Sequence, residues 1–152
     1  MTTLLDYESH EVVRPVLDTA RAEMARLINQ ARAELLASGT AVDIEQLAQG
    51  QARTADSARQ WLSRRRRERR LVTVQHDGRT LVPTFQLDTD FDVEPDAAAV
   101  VTRLLDHDMD PWSIWDWAET PNTWLNGRTP SRVLLDGNLD TVDRAIRGLF
   151  QD

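Results

Sequence analysis

Cysteine is missing from this chain of 152 residues, and so is lysine. Without cysteine there are no disulfides, no thiolate metal sites and no redox chemistry through sulfur. All eighteen basic residues are arginine, a uniformity that reads as GC-rich coding and carries no mechanism. Long apolar runs are absent too: no stretch approaches the roughly 20 apolar residues of a membrane span. Residues 1–15 lack the basic start and apolar core of a secretory signal, so cytoplasm is the default expectation.

Catalytic constellations are also wanting. The histidines, His10, His76 and His107, are scattered over expected loops and turns, and there is no glycine-rich phosphate loop or nucleophile motif. Asp106, Asp108 and Asp110 around His107 read as a helix end followed by a cap. The run from Asp88 to Asp92 imitates the start of a calcium loop, but Val93 stands where glycine is needed and Ala99 where glutamate is. Neither an enzyme nor a cofactor or metal is expected.

What the chain does have is an uneven distribution of charge. Residues 1–52 carry four Arg and eight acids, net -4, and residues 80–152 carry five Arg and fourteen acids, net -9. Between them, residues 53–79 carry nine Arg against Asp56, Glu68 and Asp77, net +6, in a chain whose total is -7. A basic island of this kind supplies the phosphate attraction that underlies most DNA binding.

Periodicity divides the chain into an N-terminal helical segment (1–40), a basic module (41–88), a linker (89–94) and an acidic helical domain (95–152). In the first, Leu17, Ala20, Met24, Leu27, Ile28, Ala31 and Leu35 recur at helical spacing after Pro15, which suits a first helical position. That stripe fits packing in the monomer or pairing with a second copy. In the module, Asp43 can cap a short helix, Gly50 can turn the chain, and Thr54 or Asp56 can open a second helix. Ala58, Trp61 and Leu62 share one side of it. At about 100° per residue, Gln60, Ser63, Arg64 and Arg67 fall opposite, with Arg53 entering nearby. Arg65 falls on the apolar side, which predicts a helix end there. Leu71–Val74 and Thr80–Pro83 then flank an Asp77-Gly78 turn and predict a hairpin.

The expected fold is therefore mainly α with a small β-hairpin wing: a helix-turn-helix module plus a small all-α C-terminal domain. Arg53, Gln60, Ser63, Arg64 and Arg67 are the candidate DNA-binding residues, with Arg79 on the hairpin touching the backbone. One such module buries little groove surface, so a homo-oligomer reading an inverted repeat is expected. In the acidic domain, proline at 95, 111, 121 and 130 marks helix starts. The helices are expected at 95–106, 111–118, 121–126, 130–136 and 139–149. Most of Trp112, Trp115, Trp117 and Trp124 are expected in the core.

The residues from Asp110-Pro-Trp-Ser-Ile-Trp-Asp-Trp through Thr120-Pro-Asn-Thr-Trp-Leu-Asn-Gly-Arg-Thr-Pro130 to Leu134-Leu135, Gly137 and Val142 resemble the toxin-binding domain of Xre/MbcA/ParS-type antitoxins. That resemblance spans roughly the last 60 residues. Trp61–Asp88 is similar to a small winged module ahead of that domain in related proteins, with its Pro83-Thr-Phe-Gln-Leu-Asp88 signature. The resemblance implies a DNA-binding autorepressor that neutralises a toxin, RES-like or otherwise NAD-utilising or ADP-ribosylating, by occlusion. It also implies a toxin-facing C-terminal region, where Arg128, Arg144, Arg147, Leu149, Phe150 and Asp152 are the candidate contacts. Phe150 is expected to be the anchor, since a ring so near the chain end has little core to join. The rival expectation is a stand-alone winged-helix regulator that senses a ligand or protein through its C-terminal domain.

Overall fold

The computed structural model describes residues 2–151, with side chains from residue 14 onward. The chain divides into two units, Met1–Ala37 and Ser38–Asp152. The first is one helix, α1 (Thr2–Ala37), of 36 residues, about 54 Å long at 1.5 Å per residue. Pro15 lies inside this helix, not at its first turn. Proline's fixed φ is helical, so it removes one donor without ending the helix here. Val16, Leu17, Met24, Leu27 and Ile28 on α1 are exposed, at 65, 48, 59, 48 and 45%.

The second unit opens with strand β1 (Ala41–Asp43), helix α2 (Ile44–Gly50) and helix α3 (Ala55–Arg67). Strands β2 (Val74–His76) and β3 (Arg79–Pro83) follow, and the three strands form an antiparallel sheet in the order β1-β3-β2. The hairpin turn is as expected: Asp77 and Gly78 both take left-handed backbone (φ 49° and 74°), the form a two-residue turn requires. Strand β1 was not foreseen. It is three residues long and exists through its partner, with Ala41, Val42 and Asp43 opposite Pro83, Val82 and Leu81.

Leu71 and Val72, expected in the first hairpin strand, are buried ahead of it. Val72 has its backbone taken up elsewhere, by the buried amide of Gln86. Gln86 accepts from the Val72 N–H at 2.7 Å and donates to the Val72 and Pro83 carbonyls at 3.0 Å each. A short 3-10 turn, Thr84–Gln86, holds it in place.

Helices α4 (Pro95–Asp106), α5 (Pro111–Glu119), α6 (Pro130–Leu135) and α7 (Leu139–Phe150) complete the unit. Glu94, Asp110 and Thr129 cap the first three ahead of their prolines, as the punctuation predicts. The helix expected at 121–126 is only a 3-10 turn, Thr123–Leu125, whose cap is Asn122, the residue after Pro121, accepting from Trp124 N–H. The stretch 89–94, expected to be a linker, is a packed turn. The Asp88 carboxylate accepts from the Asp90 and Asp92 N–H groups, Leu87 pairs with Val93, and Val93 is buried.

Two apolar clusters fill the unit. One joins Leu47, Ala48, Ala58, Trp61, Leu62, Leu71 and Val82 to Val93 and Ala98. The other joins residues of α4 to α7 to Val72. Of the four C-terminal tryptophans, Trp115 is wholly buried and donates to the Thr40 hydroxyl at 3.0 Å, whereas Trp124 is 64% exposed.

A candidate nucleic-acid interface

Helix α3 is positioned by local chemistry at both ends. Thr54 accepts from Ser57 N–H at 3.1 Å, and a threonine cap is worth about 1 kcal/mol. Ahead of it, α2 starts on a reciprocal cap, Asp43 accepting from Gln46 N–H (2.8 Å) while the Gln46 side chain accepts from Asp43 N–H (2.9 Å). The chain between the helices turns at Ala52, which is left-handed at φ 54°, and Arg53 N–H reaches back to the Ala48 carbonyl. Gly50, expected to make that turn, is instead the last residue of α2. It is small because the Phe91 ring lies against it, where an added Cβ would meet ring carbon at 2.5 Å.

Ala58, Trp61 and Leu62 face the core, and Gln60, Ser63, Arg64 and Arg67 are exposed on the other side. Arg53 is exposed at the turn. The helix runs on through Arg67, past the end expected at Arg65. Arg65 tolerates its position on the apolar flank by lying 5.7 Å from the Trp61 ring centroid and pairing with Glu68 at 2.8 Å. Four consecutive arginines, Arg64 to Arg67, occupy the last turn, where the helix dipole favours cations.

The arginines of the island fall into two sets. Arg59 pairs with Asp56 (2.9 Å), Arg65 with Glu68, Arg69 with Asp106 (2.9 Å) and Arg79 with Asp43 (2.6 Å). Among the described residues, Arg53, Arg64, Arg66, Arg67 and Arg70 form no ion pair, and all five are exposed. An unpaired guanidinium offers its full fork of donors to a phosphate or a guanine edge. Arg66 and Arg70 were not singled out from the sequence; Arg79 was, yet it is tied to the cap of α2.

The residues nominated for a protein partner are partly dispersed. Arg144 and Arg147 lie on α7 beside an open cleft of about 650 Å³ that Trp124, Thr141, Gly148 and Gln151 also line. Leu149 is 45% exposed, and Arg128 is exposed with its Nε donating to the Leu125 carbonyl. Phe150 is not the free anchor expected of it. Its ring packs on the core and stacks on His107, with ring centroids 3.8 Å apart and planes 3° from parallel. Asp152 lies outside the described residues, as do the side chain of His10 and any partner it has. His76 is exposed at the hairpin, 3.2 Å from Asp77.

No family model matches the chain, and no curated protein matches it. Among solved structures, the NMR structure of Rv2175c does, with a TM-score of 0.54 and 20% sequence identity over 69% of this chain and 77% of that one. At this identity the likeness is one of fold.

Proposed function

We propose that this chain is a DNA-binding repressor, that residues 41–88 are a winged helix-turn-helix, and that α3 is the helix that enters the major groove. The single observation behind this reading is the set of five unpaired arginines on and beside α3, in a chain of net charge -7. The order β1-α2-α3-β2-β3, with β3 central, supports it, since a hairpin beside the second helix is the wing of such modules. Titration of the promoter DNA with rising salt tests it. Binding should weaken steeply, with a log-log slope of about -0.9 per phosphate contact, and a flat salt response rejects it.

The DNA binder acts as a dimer, and the exposed apolar stripe of α1 is the first candidate for its pairing surface. Light scattering decides this: a monomer both free and on DNA ends the idea. A double change, Met24→Glu with Leu27→Glu, that leaves a dimer intact ends only the choice of surface.

The acidic helices take a protein partner, which the resemblance to Xre/MbcA/ParS-type antitoxins makes a toxin silenced by occlusion. Because Phe150 belongs to the core, point changes test this better than truncation. Leu149→Glu should release toxicity in cells that co-express the neighbouring gene while promoter binding stays intact. If no neighbouring product co-purifies with the wild-type chain, the stand-alone regulator replaces the antitoxin.

A further inference from the structure

Trp124 is a large apolar side chain left mostly in solvent, at 64% exposed. Its placement is not loose. One side of the indole lies on the backbone of α7 at Gly148, where an added Cβ would sit 2.5 Å from the ring. Glycine inside a helix costs about 1 kcal/mol relative to alanine, and here it makes the seat for the indole. The result is a rigid aromatic plate with one side on α7, next to the exposed Arg144 and Arg147.

Charge around the plate is opposite in sign to its setting. Residues 80–152 have net charge -9, yet the lining of this cleft, Trp124, Thr141, Arg144, Arg147, Gly148 and Gln151, contains no carboxylate. Arg147 is held by Asp143 at 3.1 Å, while Arg144 forms no ion pair among the described residues. A small basic spot with an aromatic floor, in a stretch of net charge -9, selects its ligand by reach. A nucleic acid carries phosphates beyond the two arginines onto a segment of net charge -9, and repulsion persists over a Debye length of about 10 Å. A peptide can place one or two carboxylates on the arginines and an apolar side chain on the indole.

We infer that the cleft between Trp124 and α7 is the docking site for an acidic segment of a protein partner, with Trp124 and Arg144 as its main contacts. This rests on the reading that the acidic helices take a protein. Aromatic and arginine side chains of this kind dominate binding energy where they are held rigid in a pocket.

The test uses the full chain and a short synthetic peptide of Glu and Asp around one Phe, followed by NMR at the Trp124 indole N–H. The peptide should shift that resonance saturably, and its lysine-for-acid counterpart should not. Arg144→Glu should weaken binding about tenfold or more, as loss of a close charge pair does. Gly148→Ala should also weaken it, by unseating the indole with no change of charge, and circular dichroism verifies that α7 remains folded. An unmoved resonance, equal binding by Arg144→Glu, or tighter binding of oligothymidylate than of the acidic peptide overturns the proposal. Co-purification separates this from the broader reading: a neighbouring product retained equally by wild type and Arg144→Glu leaves a partner in place and removes this site.

Discussion

Two halves of the compact unit differ in charge but not in packing. Residues 38–87 hold the basic island with α2, α3 and the sheet, and residues 88–152 hold the acidic helices. Each nevertheless completes the core of the other: Val72 enters the cluster of α4 to α7, and Val93 and Ala98 enter the cluster under α3. Polar contacts cross the same seam, from Trp115 to Thr40, from the Thr102 hydroxyl to the Arg69 carbonyl, and from Arg69 to Asp106. A change in surface composition is thus no marker of where a packed unit ends. Charge acts through solvent-facing side chains, whereas cooperativity follows buried apolar area.

The largest expected effect loosens the backbone that carries Val72 into the cluster of the other half. Gln86→Leu keeps a side chain of similar size but strands a buried N–H and leaves the Val72 and Pro83 carbonyls without the amide that serves them. At about 1–3 kcal/mol for each buried group left unpaired, the loss should be at least about 3 kcal/mol. If the halves fold as one, urea unfolding read at Trp61 and at Trp115 should move together. Separate midpoints for the two tryptophans would show two cooperative units and restore a domain boundary.

A middle-sized effect should stay within one half. Arg64→Ala with Arg67→Ala removes two unpaired guanidiniums and should lower promoter affinity by about tenfold or more and the salt slope by about two units. Arg59→Ala with Arg65→Ala removes two that are already matched to Asp56 and Glu68, so its effect should be several times smaller. Neither pair should change the midpoint of unfolding by much, since exposed ion pairs contribute about 0–1 kcal/mol. Equal losses from the two pairs would mean that internal pairing does not select the contacting arginines.

How much of this was legible follows the distance over which each signal acts. The outward face of α3 was readable because a helix wheel needs only local spacing, and Pro95, Pro111 and Pro130 announced three helices because capping is decided within a turn. Pro15 and Pro121 misled by the same token: a proline is compatible with a first turn but does not create one. Strand β1 was invisible because three residues hold no alternation and borrow their ladder from β3. Long-range pairs were equally hidden. Nothing near Phe150 announces His107, nothing near Arg79 announces Asp43, and Gly148 discloses its purpose only beside Trp124. The Pro83-to-Asp88 signature was noticed through resemblance alone; its physical content is the Gln86 amide on Val72 and the Asp88 carboxylate in its own turn.

The smallest expected effect lies at Glu119, on the seam itself. This carboxyl, at the end of α5, lines a groove with Thr40 and Thr84 from the basic half and with Ser131 and Leu134 from the acidic half. Burial pushes its pKa up from the ordinary carboxylate value, and the Ser131 hydroxyl, donating at 3.2 Å, draws it part of the way back. The folded chain therefore holds this proton more tightly than the unfolded one. Its contribution is fully present at acid pH, where both states are protonated, and is lost as pH rises from the unfolded value through the raised folded one. Glu119→Gln keeps the shape and the hydrogen bond to Ser131 but cannot ionise. Its stability relative to wild type should grow as pH climbs through that window and then level off. Urea midpoints of both proteins across that range measure the difference, and parallel pH profiles would mean that the groove leaves Glu119 as well solvated as an unfolded chain does.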